Sequence, residues 1–209
     1  MRAVKQMTYG KKYTAVQNYI KLLDSFVLPL VIRLIGNDGI DELNKIWQEK
    51  LKVIPNDLSD KDKFEIAYAN WLWKWSTAVK FLKIHIGDKG LEEFKKADIE
   101  ALKLKDSRLK MMILEGIRAV SPSLAFLMIE RQMAYELQVY SPADITELSK
   151  ERIVFDTQHC KILDYPECVN FCITGCQKIF PDFLAEHLKV KMDIKRRGKG
   201  CTISLAPLG

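Results

Sequence analysis

The sequence lacks long apolar runs and the leader features of exported proteins. Its longest uninterrupted apolar segment covers only residues 26–32, whereas a helix that crosses a bilayer needs roughly 20 apolar residues. The N-terminal segment contains no apolar signal core. We therefore expect a cytoplasmic protein that does not contact a membrane.

Histidine is scarce, and the common motifs of enzyme sites are missing. The chain has 3 histidines among 209 residues, with no His-Glu-x-x-His pattern and no Ser–His–Asp order, which argues against zinc proteases and serine hydrolases. The net charge is +6, but the lysines are spread along the whole chain. Scattered lysine favours solubility over nucleic-acid binding. We expect no nucleic-acid partner, and the sequence leaves a homo-oligomer open.

Cysteine is missing from most of the chain and then becomes frequent. No cysteine precedes Cys160, and all 5 lie in the C-terminal quarter. With 48% hydrophobic residues the chain can bury a core without disulfides. In the reducing cytoplasm, clustered cysteines are more typical of metal ligands or reactive thiols than of disulfides.

Helical spacing of apolar residues dominates the first two thirds of the chain. Residues 13–35 carry a long apolar stripe, and the sequence Ser59-Asp60 predicts an N-cap that opens another long helix. Residues 35–45 resemble residues 86–96, and in both segments an apolar helix ends at a glycine, Gly36 or Gly87. Glycine closes helices because it accepts positive φ. The repeat predicts two similar helical hairpins.

After about residue 134 the apolar spacing changes to the alternation typical of strands. We predict an α+β fold in which N-terminal helical hairpins (1–133) pack on a cysteine-containing region (134–209). This second region is a ββαββ antiparallel sheet with one covering helix. Its predicted strands are 135–140, 152–157, 190–194 and 201–205, and its predicted helix is 166–188.

Two of the cysteines fall on a helix face that must be buried. At about 100° per residue, Cys172, Cys176 and His187 share the stripe that packs on the sheet. Free cysteine behaves as a small hydrophobe, so a purely structural role accounts for both thiols. His187 can be a base, a ligand or a satisfied core histidine.

A metal site is the alternative interpretation of the cysteines. Cys160 follows one predicted strand and Cys201 opens another, so both can approach Cys172 and Cys176 on the helix. Four thiolates suit zinc or an iron–sulfur cluster. The spacing Cys-x7-Cys-x3-Cys-x3-Cys-x24-Cys lacks the Cys-x2-Cys knuckle of structural zinc sites. A third interpretation makes Cys172 a nucleophile whose pKa is lowered at a helix N-terminus.

The arrangement of these cysteines resembles a known family. A strand that ends at Cys160, a helix carrying Cys172 and a final strand that begins at Cys201 are similar to the L-2-amino-thiazoline-4-carboxylic acid hydrolase-like family. The Gly198-Lys199-Gly200-Cys201 turn resembles, more distantly, the end of the 4-vinyl reductase domain. The tryptophan-rich segment 71–96 also looks similar, so the resemblance covers about residues 64–205.

The resemblance implies a small-molecule-binding protein that is hydrolytic toward cyclic amidine C–N or C–S bonds. Cys172 and His187 are then the catalytic candidates. Cys160, Cys172, Cys176 and Cys201 are the candidate ligands of zinc or an iron–sulfur cluster. Two other hypotheses stay open at this point: a non-enzymatic cysteine-ligated sensor or scaffold, and a structural protein whose cysteines are only core.

Overall fold

The N-terminal part of the chain is a bundle of helices. The computed structural model describes residues 6–105 and 108–208. Long helices α1 and α3 pack side by side, and α4 contacts both of them, while α5 and α6 pair as a hairpin that contacts α1 through α6. The helices are α1 (Tyr9–Leu34), α2 (Asn37–Gln48), α3 (Asp60–Ile86), α4 (Asp88–Lys105), α5 (Arg108–Val120) and α6 (Pro122–Tyr140).

The ends of these helices follow from local sequence. Ser59 caps α3, because its Oγ accepts a hydrogen bond from the Asp62 N–H at 3.2 Å. Gly36 and Gly87 have φ of 102° and 72° and separate α1 from α2 and α3 from α4. Residues other than glycine rarely adopt these backbone angles. The two predicted hairpins are therefore present, each consisting of a long helix, a glycine and a shorter helix.

Helix α1 is, among the described residues, the one helix long and apolar enough to cross a membrane by length and composition. One side of it is buried in the helical core, including Val16, Leu23 and Val27. An apolar helix of this kind is also what a packed bundle needs at its centre.

The C-terminal region contains the predicted antiparallel sheet, so the α+β fold class is confirmed. The strand order is β1-β2-β4-β3, and every neighbouring pair is antiparallel. One face is apolar and packs inward, with Phe155, Ile203 and Ile194 side by side across three strands. The strands are β1 (Asp144–Leu148), β2 (Ile153–Thr157), β3 (Val190–Arg197) and β4 (Gly200–Pro207).

The first predicted strand, at residues 135–140, is wrong. Helix α6 continues through this segment to Tyr140, and the strand begins later, at Asp144. Glu136 and Tyr140 lie one turn apart on α6, and both contact Tyr19 of α1. This contact with α1 outweighs the short alternation in the sequence. The boundary proposed between residues 133 and 134 consequently falls inside α6.

The covering helix differs from the regular α-helix that we predicted at 166–188. A short 3₁₀ turn, Pro166–Cys168, precedes a helix at 171–188, which we call the cysteine helix. The cysteine helix is π-helical at Phe171–Ile179 and Leu184–Leu188, with an α-helical turn at Phe180–Phe183 between them. In a π-helix each hydrogen bond spans five residues, so a wheel drawn at 100° per residue misplaces its side chains.

Candidate functional site

A cavity of about 560 Å³ lies between the helical bundle, the cysteine helix and the sheet. Its wall is mostly apolar, with side chains from α1, α3, α4, α5, α6, the cysteine helix and the inward face of the sheet. Pockets that hold small organic ligands in proteins have volumes of about 300–1,000 Å³. The volume and position of this cavity make it the candidate site.

All four cysteines predicted as metal ligands line this one cavity: Cys160, Cys172, Cys176 and Cys201. They come from three places in the chain, namely the end of β2, the cysteine helix and the start of β4. The fifth cysteine, Cys168, is buried outside the cavity wall. Its carbonyl accepts a hydrogen bond from Ser76 Oγ at 3.2 Å.

Cys201 is held by a close contact between β2 and β4. Its N–H donates to Thr157 Oγ1 at 2.9 Å, and its Sγ lies 3.2 Å from the same oxygen. The preceding residue, Gly200, lies so close to β2 that a Cβ there would be 1.8 Å from the Thr157 carbonyl oxygen. Glycine is therefore required at this position, and the Gly-Cys step of the sequence places the thiol at the cavity.

Burial keeps the thiols of Cys160, Cys172 and Cys176 protonated near neutral pH. It raises the pKa of Cys160 to about 11, raises that of Cys172, and raises that of Cys176 far above the ordinary value. The lowered pKa expected for Cys172 is therefore wrong. Loss of hydration outweighs the opposing effect of the Arg196 charge on Cys172.

The cysteines share a cavity but do not converge on a point. Within the residues that the structure describes, no group of three or more His, Cys, Asp or Glu side chains is placed to hold a metal ion. His187 does not join them either, since it is not among the residues of the cavity wall and its ring packs on Phe183. The arrangement as it stands does not fit a preformed metal centre or a Cys172–His187 pair.

An aromatic cluster forms one wall of the cavity. The ring of Phe171 lies 4.8 Å from that of Trp71 and 4.7 Å from that of Trp75, and Tyr140 stacks on it at 6.1 Å. Trp71 and Trp75 are buried as predicted. Trp73 points away toward α2, where its indole N–H donates to backbone carbonyls.

Sequence reasoning missed two carboxyl groups and one guanidinium group of the cavity wall. Arg196 lies on β3 directly opposite Cys201, and Glu136 accepts hydrogen bonds from Tyr19 and Gln132. Asp98 of α4 is only 8% exposed, and its carboxylate accepts a hydrogen bond from Trp75 Nε1 at 3.2 Å. Burial raises the Asp98 pKa to about 7.

One signal in the sequence could have identified Asp98. It stands four residues after Phe94 and three before Ala101, both buried positions of α4. A carboxylate at this spacing sits on the apolar stripe of its own helix. Buried carboxylates without a charged partner are uncommon, so such a position indicates a special environment.

Comparison of the chain with protein-family models, with curated proteins and with solved structures finds no match in any of the three. The resemblance to the hydrolase-like family stays a prediction. The function is therefore argued from the cavity itself.

Proposed function

We propose that this protein binds a mostly apolar small molecule in the cavity between its helical bundle and its sheet. The observation that carries the proposal is the cavity of about 560 Å³ with a mostly apolar wall. Protein interiors are close-packed because buried apolar atoms gain dispersion energy from each neighbour. A bound apolar molecule would supply such contacts to the side chains of the wall.

The few polar groups in the wall support an oriented ligand. Asp98 and Glu136 come from helices, whereas Arg196 comes from the sheet beside Cys201. Ligand pockets typically combine an apolar wall with a small number of fixed polar groups that set orientation. We infer that the ligand carries polar groups at its ends and an apolar body that contacts the aromatic cluster.

Binding, and not hydrolysis, is the part of the resemblance that the cavity supports. A thiol nucleophile must be ionised to attack, and burial raises the pKa of Cys172 and of Cys176. We expect Cys172→Ala to keep most of the affinity for an apolar ligand.

A bulky substitution in the wall tests the proposal. Met133 lines the cavity, and Met133→Trp is expected to weaken the binding of an apolar fluorescent probe about tenfold by taking up cavity volume. Met112 is 63% exposed and outside the wall, so Met112→Trp is the matched control and should leave probe affinity unchanged. Absence of probe binding to the unmodified protein, or equal affinity of both variants, would contradict the proposal.

A cysteine-ligated metal or cluster is the second candidate function. The supporting observation is that Cys160, Cys172, Cys176 and Cys201 all line one cavity. They would have to move closer to share an ion. Metal analysis of protein purified without oxygen should then find stoichiometric zinc, or iron with sulfide, which Cys201→Ala removes and Cys168→Ala retains. Protein without bound metal would rule this candidate out.

A further inference from the structure

Asp98 is a buried carboxyl whose hydrogen bonds are incomplete. Within residues 6–105 and 108–208, its recorded hydrogen-bond partner is the Trp75 indole N–H, which contacts Oδ2 at 3.2 Å. A carboxylate has about four acceptor positions on its two oxygens. Because Asp98 also belongs to the cavity wall, its remaining positions are available to a molecule inside the cavity.

No cation of the described residues pairs with Asp98. The lysines of α4 near it that form ion pairs are used elsewhere: Lys95 binds Asp182, Lys96 binds Glu93, and Lys103 binds Glu100 and Glu186. The positive charge of Arg196 opposes the rise of the Cys172 pKa, at the sheet side of the cavity. Asp98 therefore faces an apolar space without a compensating charge, which costs folding free energy.

Aromatic rings of the cavity wall meet at Phe94, which lies one turn before Asp98 on α4. Trp75 and Phe26 belong to the cavity wall, and both rings pack edge-on against Phe94, at 5.1 Å and 5.4 Å between ring centroids. Aromatic faces attract cations and repel anions. A buried carboxyl beside such rings is complementary to a positively charged group on an apolar molecule.

We propose that Asp98, together with the rings of Trp75 and Phe26, forms a subsite for the protonated amino group of an apolar amine. This inference rests on the proposed function, because it names the chemical class of the ligand that the cavity holds. The ammonium would donate to the free acceptor positions of Asp98, and the apolar body would extend along the aromatic cluster.

The proton balance of binding follows from the burial of Asp98. Since the Asp98 pKa is about 7, the carboxyl is protonated in about half of the molecules near neutral pH. The ammonium binds the carboxylate form, so a protonated Asp98 releases its proton to water and forms an ion pair with the amine. Binding of the amine therefore strengthens as pH rises through about 7.

Two tyrosines and three cysteines of the cavity wall are not expected to mask this dependence. Tyr19 and Tyr140 have pKa values well above 10, and the pKa of Cys160 is about 11. Cys172 and Cys176 have raised pKa values as well. The remaining ionisable or charged groups of the wall are Glu136, Cys201 and Arg196.

Calorimetric titration with phenethylamine and with phenethyl alcohol tests the subsite. The amine should bind about tenfold more tightly at about pH 8 than at about pH 6, and near pH 7 it should release about half a proton per molecule bound. The alcohol, which carries no charge, should bind equally at both pH values. Proton release is measured by repeating the titration in buffers with different ionisation enthalpies.

Asp98→Asn should remove both the pH dependence and the proton release, while the alcohol still binds and reports an intact cavity. Glu100→Gln removes a charge from an exposed position on the same helix, and it should behave like the unmodified protein. If the alcohol binds but the affinity for the amine does not rise with pH, the proposed amine subsite is wrong and the cavity proposal stands. If neither compound binds, both proposals fail.

Discussion

Replacing Asp98 by asparagine should make the protein more stable above neutral pH, with a difference that grows as pH rises. The folded-state pKa of Asp98 is about 7, against an ordinary value of 3.8. Folding therefore favours the protonated carboxyl. The resulting cost is absent below about pH 4, grows between about pH 4 and pH 7, and reaches about 4 kcal/mol above pH 7. Asparagine cannot ionise, so it does not carry this cost.

Urea unfolding of both proteins at several pH values measures the difference. The free energy of unfolding of Asp98→Asn, minus that of the unmodified protein, should rise by roughly 3 kcal/mol between about pH 5 and pH 8. Asparagine keeps the size of the side chain and can still accept the Trp75 hydrogen bond. The control Glu100→Gln alters an exposed ion pair and should give a nearly constant difference. A constant difference for Asp98→Asn would show that its carboxyl titrates as in the unfolded chain.

Gly200→Ala should destabilise the protein by about 3 kcal/mol or more. The added Cβ would lie 1.8 Å from the Thr157 carbonyl oxygen and 2.9 Å from backbone atoms of Gln158. Both neighbours are backbone, so no side chain can rotate away, and β2 and β4 would have to separate. The same movement would break the contacts between Cys201 and Thr157 that place the thiol at the cavity.

The matched control is the same substitution in an open position. Gly116 lies in α5, and a Cβ there would have no neighbour within 4 Å. Gly116→Ala should therefore stabilise the protein by about 0.5–1 kcal/mol, because alanine loses less backbone entropy in a helix. Urea unfolding compares the two variants, and equal effects would mean that the strands do not approach as closely at Gly200 as the structure has them.

Several elements of the fold could be predicted because their cause is local. The Ser59 cap, the glycine helix ends at Gly36 and Gly87, and the strands after residue 150 each depend on neighbouring residues. The prediction of a strand at residues 135–140 was wrong for the opposite reason. Its short alternation suits a strand, but the contacts of Glu136 and Tyr140 with Tyr19, far away in the sequence, hold it in a helix.

The candidate site, like the fold, was predicted only in part from the sequence. The sequence identified Cys160, Cys172, Cys176 and Cys201 as one group, and the structure has all four in one cavity wall. The sequence could not predict whether these thiols are protonated, because the pKa of a thiol depends on how much water the surrounding elements exclude. The lowered pKa expected for Cys172 assumed a regular, solvated helix N-terminus. The residue instead lies buried at the start of a π-helical segment.

By itself, the sequence determined the α+β class, the helical repeat and the clustering of the thiols, since periodicity and turn residues act over a few positions. Tertiary structure alone decided that the helices and the sheet leave a cavity between them. It also decided that Asp98 faces that cavity and that the cysteines line it without converging. These features depend on distances between elements far apart in the chain, which no local pattern encodes.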